Sequence, residues 1–570
     1  MDEFLTFQDH DLSTWIQQFP HVWISRSSQV GHPHQVQILG RPVWMSEIRW
    51  LGMSMNDPVY GLLDLNFLPL ITMTKLELRN SSINILPLEV LSTEPFSQVY
   101  YRQGKNNESE VDVLFQRGIG KHGSFHVGGT FFGFDGRLAN SAVDNEKFRA
   151  QLHFQLWKKY KLTYRILTNR YKANYPGNIY ENSVIQFSSL RRKVRRTDHY
   201  LKIDFPDSGK WVKSVTTEYH SDRRNYTGSS IGINTEDITR WGKVTGLFSH
   251  QSEKSISKIS FNFMGTGASS LGFDSFHEFP VGISISSYRK IRKDIFALVD
   301  FDYTYHDKSW QSRKFNLAFE KEFSAFTSAK LVVFDNSTVP PLGWRNGKLL
   351  PFENQPWPLL FSTIDKAFTV QVKPNESVGN RGVRLQFSWN YKKRTQIFAD
   401  LYYQHTRNLV FPAIADSTTK MMISPNFNSL GLFIKAQTSL GRAMKFSGRY
   451  QFSHYSNLTS PELNEIPNHQ FWLQFHMNKI LFNGNLDAHL FLTGEFLGSR
   501  YSYGYPQDFG LNKFLLDDVL LIHAKFMFHI GDARIFFQWQ NLSDQIYTYR
   551  ILQDQPGRNF QYGVIWTFWN

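Results

Sequence analysis

Apolar and polar residues alternate over long stretches of the C-terminal half of the chain. Apolar side chains recur at even positions from Leu520 to Ile530 and at odd positions from Ala533 to Trp539. This period of two predicts β-strands with one apolar and one polar face. Further runs lie at 111–116 extended by 123–134, and at 149–168, 314–322, 384–389 and 396–407. The longer runs favour membrane-spanning strands, because a bilayer requires about 9–11 residues and soluble strands usually have about 5–6.

The connections near the C-terminus alternate between tight and long. Tight turns are predicted at 441–442, 483–485 and 531–532, and long segments rich in Tyr, Pro and Asn lie at 411–428, 457–467 and 499–512. Short turns at one end and long loops at the other are typical of outer-membrane barrels. If about 475 residues form the barrel at about 21 per strand, it has roughly 22 strands and a lumen wide enough to need a plug. We therefore expect a plug at 1–92 and a transmembrane barrel at 93–570.

Composition narrows the classes of protein further. The chain has 570 residues, a formal net charge of +14, 16% aromatic residues and no cysteine. The missing cysteine excludes a disulfide scaffold, cysteine-ligated zinc and a cysteine nucleophile. No apolar run is long enough to predict a spanning helix, and the first residues lack the pattern of a signal peptide. A mean hydropathy of −0.38 suits either a large soluble β protein or an outer-membrane barrel.

Residues 53–78 contain a short apolar strand, an Asn-Asp-Pro turn and a second strand. This segment resembles the plug signature of TonB-dependent outer-membrane receptors. The matching residues are Asn56, Asp57, Pro58, Gly61, Asp64, Leu65, Pro69 and Glu77. Segments 12–22, in which His21 replaces the usual glycine, and 36–41 resemble neighbouring plug strands. The alternative is a generic Asp-Pro turn between two strands.

The C-terminus carries a second resemblance to the same family. Residues 541–544, Tyr547 and 556–560 resemble its last loop. The terminal strand has an aromatic face, formed by Phe560, Tyr562, Trp566 and Phe568 together with Val564. In the family such a strand is recognised by the barrel assembly machinery, although here Trp569 and Asn570 follow the aromatic end. A short match at 372–376 resembles an element that precedes a mid-barrel strand.

The resemblance implies function and partners. It implies a monomeric receptor in the bacterial outer membrane, in contact with outer-membrane lipid, that takes up a scarce small-molecule ligand such as an iron chelate, cobalamin or an oligosaccharide. A periplasmic TonB-type protein would supply energy through a TonB box. Residues 3–7 are a poor box, so we expect either a start further upstream or a loss of coupling. We expect no cofactor, no enzymatic activity and no nucleic-acid partner, since no catalytic or nucleic-acid-binding motif is visible.

Other candidate sites are weaker. Aromatic residues in long segments suit ligand capture or membrane-interface girdles: Trp344, Trp357, Tyr501, Tyr503 and Tyr505. The basic run at 191–196 is interpreted as a solvated loop, with contact to an anionic ligand or lipopolysaccharide phosphate as the alternative. Histidines at 469, 476, 489, 523 and 529 are interpreted as polar lumen residues rather than metal ligands.

Two other functions remain open from the sequence. A passive porin or surface-binding barrel could keep a reduced plug as a structural cork. A secreted all-β carbohydrate-binding protein would instead be soluble without detergent.

Overall fold

The computed structural model describes residues 12–569 except 27–29, 71–72, 80–81, 88–93, 121, 138–139, 158, 175–177, 181–182, 186–190, 207–208, 229–232, 271–272, 307–309, 346–376, 392–393, 416–417, 457–460, 505–511, 550–554 and 556. Helices in this part of the chain are short. The short match at 372–376, Trp357 and Tyr505 lie outside the described residues.

The N-terminal region forms two small sheets. A helix at Leu12–Ile16 precedes a hairpin of β1 (Val22–Arg26) and β2 (His34–Ile38), which pair antiparallel. The second sheet has the order β4-β3-β6-β5. Its strands are β3 (Glu47–Trp50), β4 (Met53–Ser54), β5 (Met73–Arg79) and β6 (Ser82–Pro87), and short 3₁₀ helices lie at Val43–Met45 and Leu65–Phe67. A buried apolar core, which includes Ile24, Trp50 and Ile83, joins the two sheets.

The remaining long strands close into a barrel of 22 antiparallel strands. The first eleven are β7 (Phe96–Gln103), β8 (Ser109–Ile119), β9 (Gly123–Phe134), β10 (Val143–Leu156), β11 (Tyr160–Asn174), β14 (Arg191–Asp204), β15 (Trp211–Gly228), β16 (Ile233–Gln251), β17 (Ser255–Ser270), β18 (Phe273–Glu278) with β19 (Val281–Lys290), and β20 (Ile295–Tyr305). We count β18 and β19 as one strand interrupted at Pro280, because both pair with β17.

The second eleven strands complete the circle. They are β21 (Gln311–Ser324), β22 (Thr327–Thr338), β23 (Val378–Tyr391), β24 (Thr395–Arg407), β27 (Phe427–Leu440), β28 (Met444–Ser456), β29 (His469–Leu481), β30 (Leu486–Leu497), β33 (Val519–Ile530), β34 (Ala533–Gln540) and β35 (Asn559–Trp569). The last strand pairs with the first, from Tyr562 opposite Gln103 to Trp569 opposite Phe96. This pairing removes every free sheet edge, as a spanning sheet requires.

Long connections lie at one end of the barrel and short turns at the other, as the sequence predicted. The long end carries three two-stranded hairpins: β12 (Asn178–Tyr180) with β13 (Ser183–Ile185), β25 (Val410–Ala415) with β26 (Thr418–Ile423), and β31 (Arg500–Gly504) with β32 (Asn512–Leu516). Short helices at Leu342–Arg345 and Pro461–Asn464 lie there too. Since long loops face outward in such barrels, this end is extracellular.

The alternation of the strands follows the barrel wall. Outward positions on the described strands carry exposed apolar side chains such as Phe131, Phe263 and Leu473. Inward positions carry buried polar residues such as Arg149, Asp198 and Gln404. An apolar outside and a polar inside match a wall between lipid and a polar lumen. Among the described residues, no helix combines the length and apolar character needed to cross a bilayer.

Three sequence interpretations of local structure were wrong. The runs at 111–134 and 149–168 are each two strands, divided by turns near Gly120 and Trp157, which both have positive φ values. The basic run at 191–196 is the start of β14 and not a loop. Cations on both faces of that strand obscured its period, because polarity no longer separated inward from outward positions.

Candidate ligand cavity between plug and barrel

The turn at residues 56–64 is held by its own side chains. Asn56 Oδ1 accepts a hydrogen bond from the Ile48 amide at 2.8 Å. Asp57 Oδ1 accepts one from the Val59 amide at 2.8 Å. The first contact ties the turn to β3, and the second satisfies a backbone donor within the turn itself, which is the usual role of Asn and Asp in turns. These side-chain contacts therefore help to hold the shape of the turn.

Two further positions of this turn have a steric or capping reason. Gly61 has φ +73°, and a Cβ placed there would lie 2.5 Å from the Trp44 Cβ and 2.8 Å from the Pro341 Cγ. Only glycine fits without a shift. Asp64 accepts from the Asn66 amide at 3.0 Å and so caps the short 3₁₀ helix that follows it.

Arginines of the barrel wall contact the turn and the residues beside it. The contacts are Arg224 Nη2 to Asp57 Oδ2 at 3.0 Å, Arg192 Nη1 to Asp64 Oδ2 at 3.2 Å and Arg196 Nη2 to the Met55 carbonyl at 2.7 Å. All three guanidinium groups come from β14 and β15 and are buried. These charge-assisted contacts fix the plug against one side of the lumen. We call them the arginine contacts.

The opposite side of the plug contacts β24 and β28. His21 adopts φ +58°, the left-handed conformation that glycine would take most readily. Its Nε2 lies 3.1 Å from the Asp400 carbonyl, and its amide donates to Gln451 Oε1 at 3.1 Å. Arg41 Nε donates to Gln404 Oε1 at 3.0 Å. The plug is thus held from both sides of the lumen, and the contacts of His21 hold that residue in its left-handed conformation.

Burial changes the protonation of two plug residues. Burial raises the pKa of Asp57 to about 6, against the opposing effect of Arg224. Burial lowers the pKa of His32 to about 4. The His32 Nε2 lies 3.4 Å from the Ser141 carbonyl, across the interface between plug and wall. Both shifts therefore belong to groups at this interface.

A cavity of about 170 Å³ lies between the plug and the wall at the extracellular end. The plug contributes Arg26 and His34, and the wall contributes Arg449, Trp472 and Glu495. The loop that connects β34 to β35 adds Tyr547 and Tyr549 in front of them. Cationic and aromatic groups from three parts of the chain thus converge on one space, an arrangement suited to an anionic ligand with flat apolar faces.

Arg449 and Arg26 are positioned differently in this cavity. The Arg449 guanidinium lies over the Trp472 ring at 5.1 Å, and its buried Nη1 has no hydrogen-bond partner among the described residues. Arg26 lies over the Tyr549 ring at 4.7 Å and donates to Gln17 Oε1 at 3.1 Å. An unpartnered charged donor is costly in a dry site. Arg449 is therefore available to an anionic group inside the cavity.

Of the other plug residues singled out in the sequence, Leu65 lines the cavity, whereas Pro58, Pro69 and Glu77 do not. The Pro58 carbonyl accepts from the Leu342 amide at 3.1 Å, which ties the plug to an extracellular loop. Pro69 is buried. Glu77 is half-buried on β5 and forms an ion pair with Lys75 at 2.6 Å.

The aromatic loop residues do not form one site. Trp344 is 2% exposed and packs on Trp44 of the plug, with ring centroids 5.7 Å apart. Tyr501 is exposed, with Lys513 Nζ 3.6 Å from its ring centroid. Tyr503 belongs to β31, but its side chain is outside the described part of the structure, as are Trp357 and Tyr505.

The aromatic face of the last strand points away from the lumen. Tyr562 and Trp566 are 40% and 49% exposed, whereas Gln561 and Ile565 face inward and are buried. Phe560 and Phe568 share the outward face. This face is therefore available to lipid or to a protein that meets the strand from outside.

The histidines predicted to face the lumen include a pair on neighbouring strands. His476 Nε2 lies 3.0 Å from His489 Nδ1, and the His489 Nε2 lies 3.1 Å from Asp487 Oδ2. Within the described ranges, no group of three or more His, Asp or Glu side chains is placed to hold a metal ion.

Sequence reasoning missed the cavity itself. Arg26, Arg449 and Tyr549 stand in segments with no shared motif, and hundreds of residues separate the first from the other two. Single arginines and tyrosines carry no distinguishing local pattern. The resemblances at 12–22, at Leu65 and at the last loop, which included Tyr547, fell on lining segments, but none of them indicated a cavity.

No protein-family model matches the chain, and no curated protein matches it. Solved structures match in fold. The FrpB iron transporter from Neisseria meningitidis matches 99% of this chain and 97% of its own, with a TM-score of 0.79 at 9% identity. The siderophore receptor PirA from Acinetobacter baumannii matches 100% and 97%, with a TM-score of 0.78 at 12% identity.

A third solved structure adds a bound ligand. It is a variant of the ferric enterobactin receptor PfeA from Pseudomonas aeruginosa in complex with enterobactin. It matches 100% of this chain and 98% of its own, with a TM-score of 0.78 at 12% identity. All three matches extend over nearly the whole chain. The chain therefore has the fold of a TonB-dependent receptor, a 22-stranded outer-membrane barrel with an N-terminal plug in its lumen.

Proposed function

We propose that the protein is an energy-coupled outer-membrane transporter for a scarce anionic small molecule, with iron chelates as the first class to test and cobalamin as the second. The observation that supports this most is the extracellular cavity in which Arg26 of the plug and Arg449 of the wall face the same space. A ligand that binds both would contact the plug and the wall together. The neighbours named as an iron transporter and a siderophore receptor favour iron chelates.

In this proposal the chain forms a plug at 1–92 and a barrel at 93–570. The turn keeps the conformation that allows the arginine contacts because of Asn56, Asp57, Pro58, Gly61 and Asp64. Pro69 and Glu77 lie on the segment that leads from this turn into the second plug sheet. For a ligand to pass through the lumen, the arginine contacts between the plug and the wall must break.

Separating the plug from the wall requires work. For the plug to move, its buried charged contacts with the wall must break, and a buried charge that loses its partner is costly. In the described part of the plug such ion pairs lie at Asp57 and Asp64, and further hydrogen bonds lie on the other side of the plug. This cost supports a TonB-type periplasmic partner that supplies the energy.

Other partners follow from the outer surface. The exposed aromatic face with Phe560, Tyr562, Trp566 and Phe568 suits outer-membrane lipid and, during insertion, the barrel assembly machinery. One chain closes the barrel without a second copy, and in this proposal the transporter acts as a monomer.

A passive pore or surface-binding barrel is the second candidate. The same plug–wall contacts would suit a permanent cork, which blocks the lumen and never moves. In that case the cavity would bind a ligand without passing it on.

Uptake of ⁵⁵Fe-labelled enterobactin separates these candidates. The protein is expressed in a Gram-negative host that lacks its own receptors for this chelate, with and without the energy-coupling protein. We expect uptake that depends on both proteins. Arg449→Gln should weaken binding about 10- to 100-fold, because it removes a charged hydrogen-bond donor.

Arg442→Gln is the matched control, since Arg442 is exposed in a short turn at the other end of β28. Uptake that persists without the coupling protein would contradict energised transport. Binding without uptake in either host would favour the surface-binding barrel. Binding unaffected by Arg449→Gln would remove this cavity as the ligand site.

A further inference from the structure

Six cationic side chains form a patch on the outside of the barrel at its extracellular end. They lie on β11, β14 and β15 and are Arg170, Lys172, Arg191, Lys193, Arg195 and Arg223. All six are exposed. We call this group the outer basic patch. It contains half of the basic run that the sequence presented, and the transport cavity does not use it.

The strand register brings like charges directly opposite one another. Arg195 pairs with Arg170 on one side and with Arg223 on the other, and Lys193 pairs with Lys172. Like charges at directly opposed positions destabilise a sheet. Stability of the barrel alone therefore does not explain this arrangement.

Carboxylates compensate only the flanks of the patch. Glu146 lies 3.9 Å from Arg170, and Glu236 lies 2.5 Å from Arg223. Asp144 occupies the register position opposite Lys172. The central strand differs, because Arg191, Lys193 and Arg195 have no ion-pair partner among the residues that the structure describes.

The patch ends where the lipid-facing surface begins. Further along the outward face of β14 come His199 and Leu201, and Tyr219 lies beside them on β15. His199 Nδ1 is hydrogen-bonded to the Tyr164 hydroxyl at 2.9 Å, and Tyr219 is 46% exposed. At about 3.3 Å per residue, His199 lies about 13 Å along the strand from Arg195. The cations are thus at headgroup height, above an aromatic boundary.

The inward-facing arginines of the basic run at 191–196 contact the plug instead. Arg192 and Arg196 face the lumen and make two of the arginine contacts with the plug. Because neighbours on a strand point to opposite faces, outward positions can be changed without removing those contacts.

We propose that the outer basic patch binds the phosphate groups of a lipopolysaccharide in the outer leaflet. The guanidinium fork matches phosphate geometry, and the uncompensated cations on β14 supply the complementary charge. The apolar surface below would contact the acyl chains of the same molecule. This site is separate from the uptake pathway and does not depend on the transported ligand.

Native mass spectrometry of the detergent-purified protein tests the proposal. The probes are bisphosphorylated lipid A, the same lipid after dephosphorylation, and phosphatidylglycerol. The variant is Arg191→Thr with Lys193→Thr and Arg195→Thr, in which threonine keeps strand propensity. We expect its Kd for bisphosphorylated lipid A to rise on the order of 100-fold, since each cation near an anionic surface contributes about fivefold.

The matched control removes three outward cations from the extracellular ends of other strands. It carries Arg313→Thr, Arg381→Thr and Arg407→Thr, which are exposed positions on β21, β23 and β24. Its affinity should stay within about threefold of the original, because no charge of the patch is lost. Equal losses in both triple variants would overturn the proposal, because general charge and not the patch would explain binding.

Two other results would also overturn it. Equal binding of dephosphorylated lipid A would exclude phosphate recognition, and equal binding of phosphatidylglycerol would indicate a general anionic-lipid surface. Arg191→Lys with Arg195→Lys keeps the charges and should retain most of the binding. If the threonine triple variant does not fold, judged by heat-modifiable gel mobility, Lys193→Thr alone should still raise the Kd about fivefold, and an unchanged Kd would count against the site.

Discussion

Individual buried groups decide how firmly the plug sits in the lumen. Asp57 accepts a hydrogen bond within the turn through Oδ1, and its Oδ2 lies 3.0 Å from Arg224 Nη2 of the wall. His32 lies across the interface from the Ser141 carbonyl. Each is completely or almost completely buried. Burial disfavours the charged form of any group. The pKa of Asp57 therefore lies above its ordinary value, and the pKa of His32 lies below its own.

The stability of the plug should therefore respond to pH through Asp57. Its pKa is about 6 in the folded protein, against 3.8 as the ordinary value, and burial is the main cause. Between these values the folded state binds more protons, so this group stabilises the plug at low pH and loses that effect as pH rises through 6. The full difference is roughly 3 kcal/mol. Asp57→Asn should remove it, measured by hydrogen exchange of plug amides at pH 4.5 and 7.5.

His32→Gln is the companion variant with the opposite sign. The pKa of His32 is about 4, so the folded state stays neutral while the unfolded chain becomes protonated below its ordinary 6.5. This group contributes stability at neutral pH that is lost as pH falls from 6.5 to 4. His32→Gln should not show this loss of plug stability as the pH falls. If plug stability depended on pH equally in Asp57→Asn, in His32→Gln and in the original protein, the pKa shifts assigned to Asp57 and His32 would be wrong.

Successive side chains on a barrel strand face two environments in turn, the lipid and the lumen. On β35, Tyr562, Val564 and Trp566 point outward while Gln561 and Ile565 point inward. The strand also closes the barrel by pairing with β34 and β7. A change on its outward face therefore acts on both lipid contact and closure.

Val564→Arg should destabilise the folded barrel by roughly 2–4 kcal/mol, the cost of a cation on the lipid face near the bilayer centre. Val564→Phe, which keeps the position apolar, is the control and should have little effect. Equilibrium unfolding by urea in lipid vesicles measures both. An arginine variant as stable as the phenylalanine variant would show that position 564 does not face the bilayer interior.

The molecule as a whole is a barrel closed around a plug held on two sides. The arginine contacts lie on β14 and β15, and the second set lies on β24 and β28. An apolar cluster that includes Trp23, Trp44 and Trp344 joins the plug to the extracellular loops. With contacts on opposite walls, the plug cannot tilt without breaking one set. Transport through the lumen then requires a displacement that a covalent bridge would prevent.

Gly31→Cys with Val143→Cys should provide that bridge. A Cβ at position 31 would lie 3.3 Å from the Val143 Cβ and 2.8 Å from the Phe132 ring, so the Phe132 ring must shift to bring the two Cβ atoms to the separation of about 3.8 Å usual in disulfides. The chain has no other cysteine. We expect the oxidised form to bind ⁵⁵Fe-labelled enterobactin without passing it on, and reduction to restore uptake. The two single variants are the controls. Undiminished uptake by the oxidised form would contradict plug movement at this contact.

Several features of this fold were predictable from the sequence because they are local. Alternation at 520–530 and 533–539 depends on neighbours two residues apart, and it predicted spanning strands that β33 and β34 confirm. Turn residues at 441, 484 and 531 likewise define where strands end, since positive φ at these glycines is a local demand. Length together with strand spacing then predicted the 22 strands that the structure confirms.

The tertiary structure alone decided which distant groups meet. Arg192 and Asp64 lie 128 residues apart, and nothing in either segment indicates their contact. The same holds for Arg26 and Arg449 at the cavity, and for the three cations of β14 that face outward. Strand register and barrel closure fix these positions, and both depend on the pairing of whole strands. A local pattern determines that a strand exists, whereas its neighbours in space determine what each of its faces can bind.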